Sequence, residues 1–342
     1  MSTTFFHTDI IQNLQGLSPD SGAFNTEPIK FGILCQNYSG EKMKHLISAN
    51  QYDRAALDVL FSKVKKIKQH PEYFRRVGRN KILTTLFYEP STRTRLSFES
   101  AMLKMGGGVL STENASEFSS IAKGESLSDT IRVVGAYCDV IALRHSQEGS
   151  SKIAVESSSV PIINAGDGSG EHPTQALLDL YTIQDRLGQI DGKHLVLIGD
   201  LKYGRTIHSL CNLLHNYHEI KLSLVSPPSF KLPGEIKLRL EEQGISVQEL
   251  EDLPSVITTG DVFYQTRVQA ERLPLETPTF IPYKITLETL QEMKENALLM
   301  HPLPRLEEIA PECDSDPRSV YFMQSDNGLY VRMAVLQDLL KR

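Results

Sequence analysis

The most constraining feature of this sequence is an alternation. Short apolar runs recur at Ile82–Tyr88, Val140–Leu143, Val160–Asn164, His194–Gly199, Ile220–Val225, Val262–Gln265 and Ala297–Met300. Between them lie stretches of helical period, including Arg93–Met105, Thr174–Leu187, Thr206–His215 and Pro233–Gln243. Runs this short suit strands, and runs without polar alternation suit strands covered on both faces. Parallel neighbours cannot be joined by a hairpin, so each needs a crossover helix, and strand–helix alternation follows from that need. The pattern predicts an α/β fold, and 342 residues suffice for two doubly wound parallel-sheet domains.

Ahead of the alternation, NQYDRAALDVLFSKVKKIKQH sets Leu57, Leu60, Phe61 and Val64 on one helical face, with lysines opposite. Residues 1–40 are rich in Ser, Thr, Asn and Gly without a sustained period and read as a loosely attached extension. They contain no arginine, which argues against a transit peptide. The glycine-rich AGDGSGEH at 165–172 reads as a hinge, and an amphipathic stretch, Leu329–Leu340, closes the chain.

Composition narrows the class. Hydrophobic residues at 40% and charged residues at 23% fit a globular enzyme, not a disordered or fibrous chain. A net charge of -6 argues against a nucleic-acid partner, and no apolar run approaches the ~18 residues of a membrane helix. Cys35, Cys138, Cys211 and Cys313 form no CxxC pair, so neither a zinc site nor a disulfide framework is indicated. A reducing, cytoplasmic setting fits best.

In open parallel sheets ligands bind beyond the carboxyl ends of the strands, so the residues just after each run are informative. Ile82–Tyr88 is followed by Ser91-Thr92-Arg93-Thr94-Arg95, and Val140–Leu143 by Arg144 and His145. Val160–Asn164 leads to His172, His194–Gly199 to Lys202 and Arg205, Val262–Gln265 to Thr266 and Arg267, and Ala297–Met300 to His301. Six strand ends thus carry cations or imidazoles in an acidic chain. At the start of a helix the N–H groups and the dipole already favour an anion. The STRTR hydroxyls add neutral donors, and Arg93 adds a fork for phosphate oxygens. A plain helix cap would need only one hydroxyl.

GDLKYGRT (199–206) misses the phosphate-loop pattern GxxxxGK[ST] by one residue, with Arg205 for the lysine, and it lacks the second glycine of GxGxxG. Asp200 would also intrude on an anion cradle, so a carboxylate clamp by Arg205 is the better reading. HPTQALLDL (172–180) opens a helix with Leu177, Leu180 and Tyr181 toward a core and His172 and Gln175 one turn apart on the same side. HPLPR (301–305) is a rigid turn whose prolines leave carbonyls without local partners. SEFSSIAKGES (116–126) is a polar loop with one lysine, Lys123, which alone reads as solvated.

Taken in order, STRTR, LRHSQEG, HPTQALLDL, DLKYGRT, TRVQ and HPLPR resemble the transcarbamoylase family, and within it the aspartate-using branch, over roughly residues 43–342. The resemblance implies a transferase that passes the carbamoyl group of carbamoyl phosphate to the amine of L-aspartate in pyrimidine biosynthesis. It implies a site in the cleft between the two domains, no cofactor and no metal. It divides the chain into the extension 1–40, a carbamoyl phosphate-binding domain at 41–175 completed by a C-terminal helix at 325–342, and an aspartate-binding domain at 176–324.

Residue by residue, the resemblance assigns phosphate binding to Ser91, Thr92, Arg93 and Thr94, and donation to the carbonyl oxygen to Thr94, Arg144 and His172. Gln175 and the HPLP turn (Pro302, Leu303, Pro304) would hold the carbamoyl NH2. Arg205, Arg267 and Gln269 would take the aspartate carboxylates. Ser119 and Lys123 match a loop that reaches into a neighbouring subunit of a homotrimer with shared sites, to which a regulatory subunit is a possible addition. Ala122 stands where some relatives carry a second lysine. An ornithine-using relative is the nearest alternative, but its cationic acceptor would be repelled by Arg267, and such relatives usually carry a cysteine at the position of Pro302. A non-catalytic sensor on the same fold is the other.

Overall fold

The structure is a computed structural model and describes residues 43–115, 124–268 and 283–341. β1 (Ile82–Phe87), β2 (Gly108–Thr112), β3 (Val140–His145) and β4 (Ile162–Asp167) form a parallel sheet in the order β2-β1-β3-β4. β5 (His194–Ile198), β6 (Lys221–Val225), β7 (Ser246–Leu250), β8 (Val262–Gln265) and β9 (Leu298–Met300) form a second parallel sheet in the order β7-β6-β5-β8-β9. The helices are α1 (Arg54–Gln69), α2 (Thr92–Lys104), α3 (Leu127–Gly135), α4 (Ser150–Ser157), α5 (Pro173–Leu187), α6 (Arg205–Leu214), α7 (Gly234–Glu242), α8 (Pro254–Ile257), α9 (Leu287–Glu292) and α10 (Tyr321–Leu340). Two doubly wound α/β sheets are thus present. Among the described residues no helix is long and apolar enough to cross a membrane.

The apolar runs are continuous because alternate side chains enter different cores. Val140 and Ala142 of β3 join the largest cluster, while Ile141 and Leu143 join the cluster on the opposite face. In β5, Leu195 and Leu197 enter the largest cluster, and Val196 and Ile198 a third. Two strands lie outside the apolar runs, β2 and β7, and each is the outer edge of its sheet. Both are half-exposed along their length, so they show no unbroken apolar run.

Two helices join the halves. α5 starts on Pro173, whose missing N–H costs nothing in the first turn, and every residue from Pro173 to Ile183 is buried. It packs on β4, α6 and α10, so its burial extends well beyond the stripe of Leu177, Leu180 and Tyr181. Residue 175 lies in its first turn, and the helix runs on unbroken to Leu187. α10 begins at Tyr321, two turns before the apolar stretch, and packs on α1, α2 and α5. Those first turns hide polar side chains: Gln324 and Asn327 are buried, and Asn327 Nδ2 donates to Thr182 Oγ1 at 3.0 Å. On α1, Asp53 caps the first turn by accepting from the Ala56 N–H at 2.8 Å, and Leu57, Leu60, Phe61, Val64 and Ile67 are buried. Each such side chain contributes about 1.5–3 kcal/mol on leaving water.

Candidate active site

Strand order dictates where a ligand can sit. In the first sheet the order reverses between β1 and β3, and in the second between β5 and β8. At such points the connections leave in opposite directions and open a crevice at the carboxyl ends. Arg93 follows β1, and Arg144 is the last residue but one of β3, in register with Phe87. Arg205 follows β5, and Arg267 lies two residues beyond β8. The two switch points therefore supply two arginines each, and all four line one cleft of about 400 Å³.

The cleft gathers most of the expected residues. Ser91, Thr92, Arg93 and Thr94 line it, as do Arg144, His172, Gln175, Arg205, Arg267, Pro302, Leu303 and Pro304. Ser119, Lys123 and Gln269, together with Ala122, fall outside the described residues. Ser91 is the N-cap of α2 yet makes no side-chain capping bond, and the same holds for His172 at α5. A plain side-chain cap therefore accounts for neither residue. His172 is buried, its Nε2 lies 3.5 Å from Thr94 Oγ1, and its N–H donates to Ser209 Oγ at 2.9 Å. Partial desolvation and the charge of nearby Arg267 lower the pKa of Arg93, as expected where cations converge.

The glycine-rich 165–172 stretch has a packing role where a hinge was expected. Ala165–Asp167 belong to β4, and buried Asp167 accepts from Ser151 Oγ, Asn164 Nδ2 and the Glu171 N–H. Gly166 has φ 115°, and a Cβ there would lie 2.9 Å from Arg205 Cζ. Arg205, itself buried, donates from Nη1 to the Gly168 carbonyl at 2.9 Å. Gly166 makes room for a guanidinium, and a Cβ on Gly168 would meet the Glu148 N at 2.7 Å. Similarly, GDLKYGRT is no phosphate loop: Asp200 Oδ1 already accepts from the Lys202 and Tyr203 N–H groups at 3.2 and 2.9 Å.

HPLPR is organised from behind. His301 Nε2 lies 2.8 Å from Glu308 Oε1, and its Nδ1 accepts from the Leu303 N–H at 2.8 Å. That pattern fixes a neutral tautomer, and burial pushes the imidazole pKa down despite the pull of Glu308. Leu303 has φ 54°, a left-handed conformation rare for a branched residue and characteristic of positions held in place by their surroundings.

Some cations noted at strand ends lie elsewhere. His145 packs against Tyr88 with ring centroids 4.6 Å apart, and Lys202 lies over the Tyr203 ring. Arg95 turns away from the cleft to Glu99 and Glu113. Other residues escaped the sequence reading. Glu89 Oε2 lies 3.3 Å from Arg144 Nη2 and 3.5 Å from Arg205 Nη1, bridging the two switch points. An acidic residue two places ahead of an anion-binding turn was the available signal. Ser97, Gln324, Ser325 and Arg332 also line the cleft. Arg332 is buried in α10 between Val331 and Met333, and burial pushes its pKa down to about 10. A charge inside an apolar stretch was a signal too.

Taken as chemistry, the cleft offers hydroxyls and a helix start at one end, guanidiniums on both walls, and a carbonyl-bearing turn closing it. Comparison with known proteins agrees with this layout. Residues 44–185 match the carbamoyl-P binding domain of aspartate/ornithine carbamoyltransferase, and residues 191–339 match its Asp/Orn binding domain. The chloroplastic aspartate carbamoyltransferase of Oryza sativa subsp. japonica is 47% identical over 310 residues, covering 87% of this chain and 85% of that protein. The aspartate carbamoyltransferase catalytic subunit of Archaeoglobus fulgidus is 47% identical over 303 residues, covering 87% and 99%. The solved aspartate transcarbamoylase from Trypanosoma cruzi in complex with N-(phosphonacetyl)-L-aspartic acid superposes with a TM-score of 0.83 at 37% identity, covering 87% of this chain and 96% of that one. With both domain models matched in order and relatives this similar over most of its length, the chain belongs to the aspartate/ornithine carbamoyltransferase family.

Proposed function

We propose that the chain is an aspartate carbamoyltransferase, transferring the carbamoyl group of carbamoyl phosphate to the amine of L-aspartate to give N-carbamoyl-L-aspartate and phosphate in pyrimidine biosynthesis. The observation that carries this reading is the meeting of Arg93, Arg144, Arg205 and Arg267 in one cleft at two topological switch points. A dianionic donor and a dicarboxylate acceptor need that much fixed positive charge, and a cationic acceptor such as ornithine does not.

In this reading Ser91, Thr92, Arg93 and Thr94 bind the phosphate at the start of α2. Thr94, Arg144 and His172 donate to the carbonyl oxygen as the aspartate amine attacks its carbon and negative charge grows there. Gln175 and the turn at Pro302, Leu303 and Pro304 hold the carbamoyl NH2. Arg205 and Arg267, with Gln269, bind the carboxylates. The C–O bond to phosphate then breaks, and the departing phosphate can take the amine proton, so the reaction needs no side-chain nucleophile. Holding the two substrates together supplies ~7–11 kcal/mol of the barrier reduction.

The proposal extends to a cytoplasmic homotrimer whose sites are shared, with Ser119 and Lys123 entering from the neighbouring chain. Leu96 and Leu103, two turns apart on α2, and Leu110 on the edge strand β2 are exposed at 49%, 59% and 44%, which supports an apolar contact with a neighbouring chain. The reading is tested by initial rates with carbamoyl phosphate and either acceptor. Aspartate is expected to be carbamoylated and ornithine not; turnover of ornithine equal to or above that of aspartate overturns it.

A further inference from the structure

Behind the cleft lies a carboxyl group that the proposed mechanism does not use. Asp179 sits in the second turn of α5, fully buried, and three side chains donate to it. Gln175 Nε2 and Gln324 Nε2 reach its Oδ1 at 2.8 and 2.6 Å, and the Tyr264 hydroxyl reaches its Oδ2 at 2.7 Å. An ionised carboxylate can only accept, so both amides must turn their NH2 groups toward it. Gln324 shows the consequence independently: its opposite end, Oε1, accepts from the His301 N–H at 2.9 Å, and a backbone N–H can only donate. Gln175 is held in the same sense, and Gln175 lines the cleft.

We infer that Asp179 is a positioning residue that commits the Gln175 amide to present its oxygen to the cleft, and thereby makes the site select a donor whose transferable carbonyl carries N–H. This deepens the proposed function and rests on its assignment of the donor site. Carbamoyl phosphate offers an NH2 to that oxygen. Acetyl phosphate has the same shape with a methyl in its place, and leaves a nearly buried acceptor unpaired. A donor of either kind would react alike: the amine bonds to the carbonyl carbon, the C–O bond to phosphate breaks, and phosphate leaves with the amine proton. The discrimination therefore resides in the acceptors around that NH2, the Gln175 oxygen beside the turn at Pro302–Pro304, and one unpaired buried acceptor corresponds to roughly tenfold or more. Burial pushes the Asp179 carboxyl up to about 7, against the pull of its three donors and of Arg332. At pH 8 it is predominantly an acceptor only.

Two substitutions of similar size separate amide orientation from charge. Asp179→Asn loses the charge but can keep a carbonyl oxygen toward Gln175 and Gln324 while its NH2 donates to the Tyr264 oxygen. Asp179→Leu removes every acceptor and frees Gln175 to turn. Affinities for carbamoyl phosphate and acetyl phosphate are measured by titration calorimetry at pH 8 without acceptor, and rates with aspartate are measured alongside. The wild type and Asp179→Asn are expected to share one preference for carbamoyl phosphate, and Asp179→Leu to show that preference reduced by about tenfold. Equal loss in both variants, or in neither, overturns the inference. Should Asp179→Leu not fold, Gln175→Met, which has no acceptor oxygen, is expected to show the same roughly tenfold reduction; an unreduced preference there overturns it. A wild type that binds both donors equally refutes this inference alone, whereas one that binds neither refutes the donor assignment as well.

Discussion

Replacing Glu89 by glutamine sets two effects of opposite sign against each other. The carboxylate lies 3.3 Å from Arg144 and 3.5 Å from Arg205, with side-chain exposures of 25%, 13% and 6% for the three. At an effective dielectric of about 20 each contact amounts to ~4–5 kcal/mol of Coulomb attraction before desolvation. The net value of such a partly buried pair is smaller, ~1–3 kcal/mol. Removing the charge raises the positive potential, which should hold phosphate as tightly or somewhat more tightly. It also releases the anchor that aligns Arg144 on one wall with Arg205 on the other. Misplacing a catalytic group by about 1 Å can cost ~10²-fold in rate, so orientation should win over potential. Glu89→Gln is therefore expected to lower kcat by roughly 10–100-fold and raise the KM for aspartate, with inhibition by phosphate unweakened. Steady-state kinetics in aspartate with phosphate as inhibitor read both effects. A kcat within about twofold of wild type would refute the argument that Glu89 aligns the two arginines.

Other expectations rest on the same geometry. Gly166→Ala forces a Cβ against Arg205 at φ 115°, so kcat/KM for aspartate should fall ~10²-fold while carbamoyl phosphate binding is nearly kept; equal losses in both would show general misfolding. His172→Ala should lower kcat by ~10²–10³ with phosphate binding nearly intact, and an unchanged kcat would remove His172 from oxyanion stabilisation. Burial lowers the pKa of His145, His194, His208 and His301, so the folded state resists protons that the unfolded chain accepts near its ordinary histidine pKa. Their contribution to stability is present above ~6.5 and lost as pH falls through the folded values, whereas the raised Asp179 carboxyl acts in the opposite direction. Thermal unfolding should move to lower temperature from pH 7 to pH 5, and a constant or rising Tm would contradict this. Inactive Arg93→Ala and Lys123→Ala proteins, mixed equally and reassembled, should recover about a quarter of normal activity if sites are shared; no recovery despite confirmed subunit exchange argues for sites within one chain.

How much of this was legible in the sequence depends on what each residue contributes. Seven of the strands announce themselves because both faces are covered, while β2 and β7 lie at sheet edges and carry no continuous apolar run. The cationic residues at strand ends were visible because a parallel sheet sends its carboxyl ends to one side. Which of them converge was not, since that depends on strand order: Arg93 and Arg267 enter the cleft, while His145 and Lys202 do not. The glycines at 166 and 168 read as a hinge because a tight packing requirement and a flexible linker have the same composition. Asp179, Gln324 and Tyr264 are distant in sequence, and only the packing of α5 against α10 and the second sheet unites them.

The central claim is that one cleft binds a phosphoryl group and a dicarboxylate side by side. N-(phosphonacetyl)-L-aspartate carries both in a single molecule, and a crystal structure of the chain with this compound tests the claim most directly. The phosphonate is expected on the Ser91–Thr94 turn and Arg93, the amide carbonyl toward Thr94, Arg144 and His172, and the two carboxylates on Arg205 and Arg267. A compound bound in the reverse sense, or with its carboxylates away from both Arg205 and Arg267, would contradict the account.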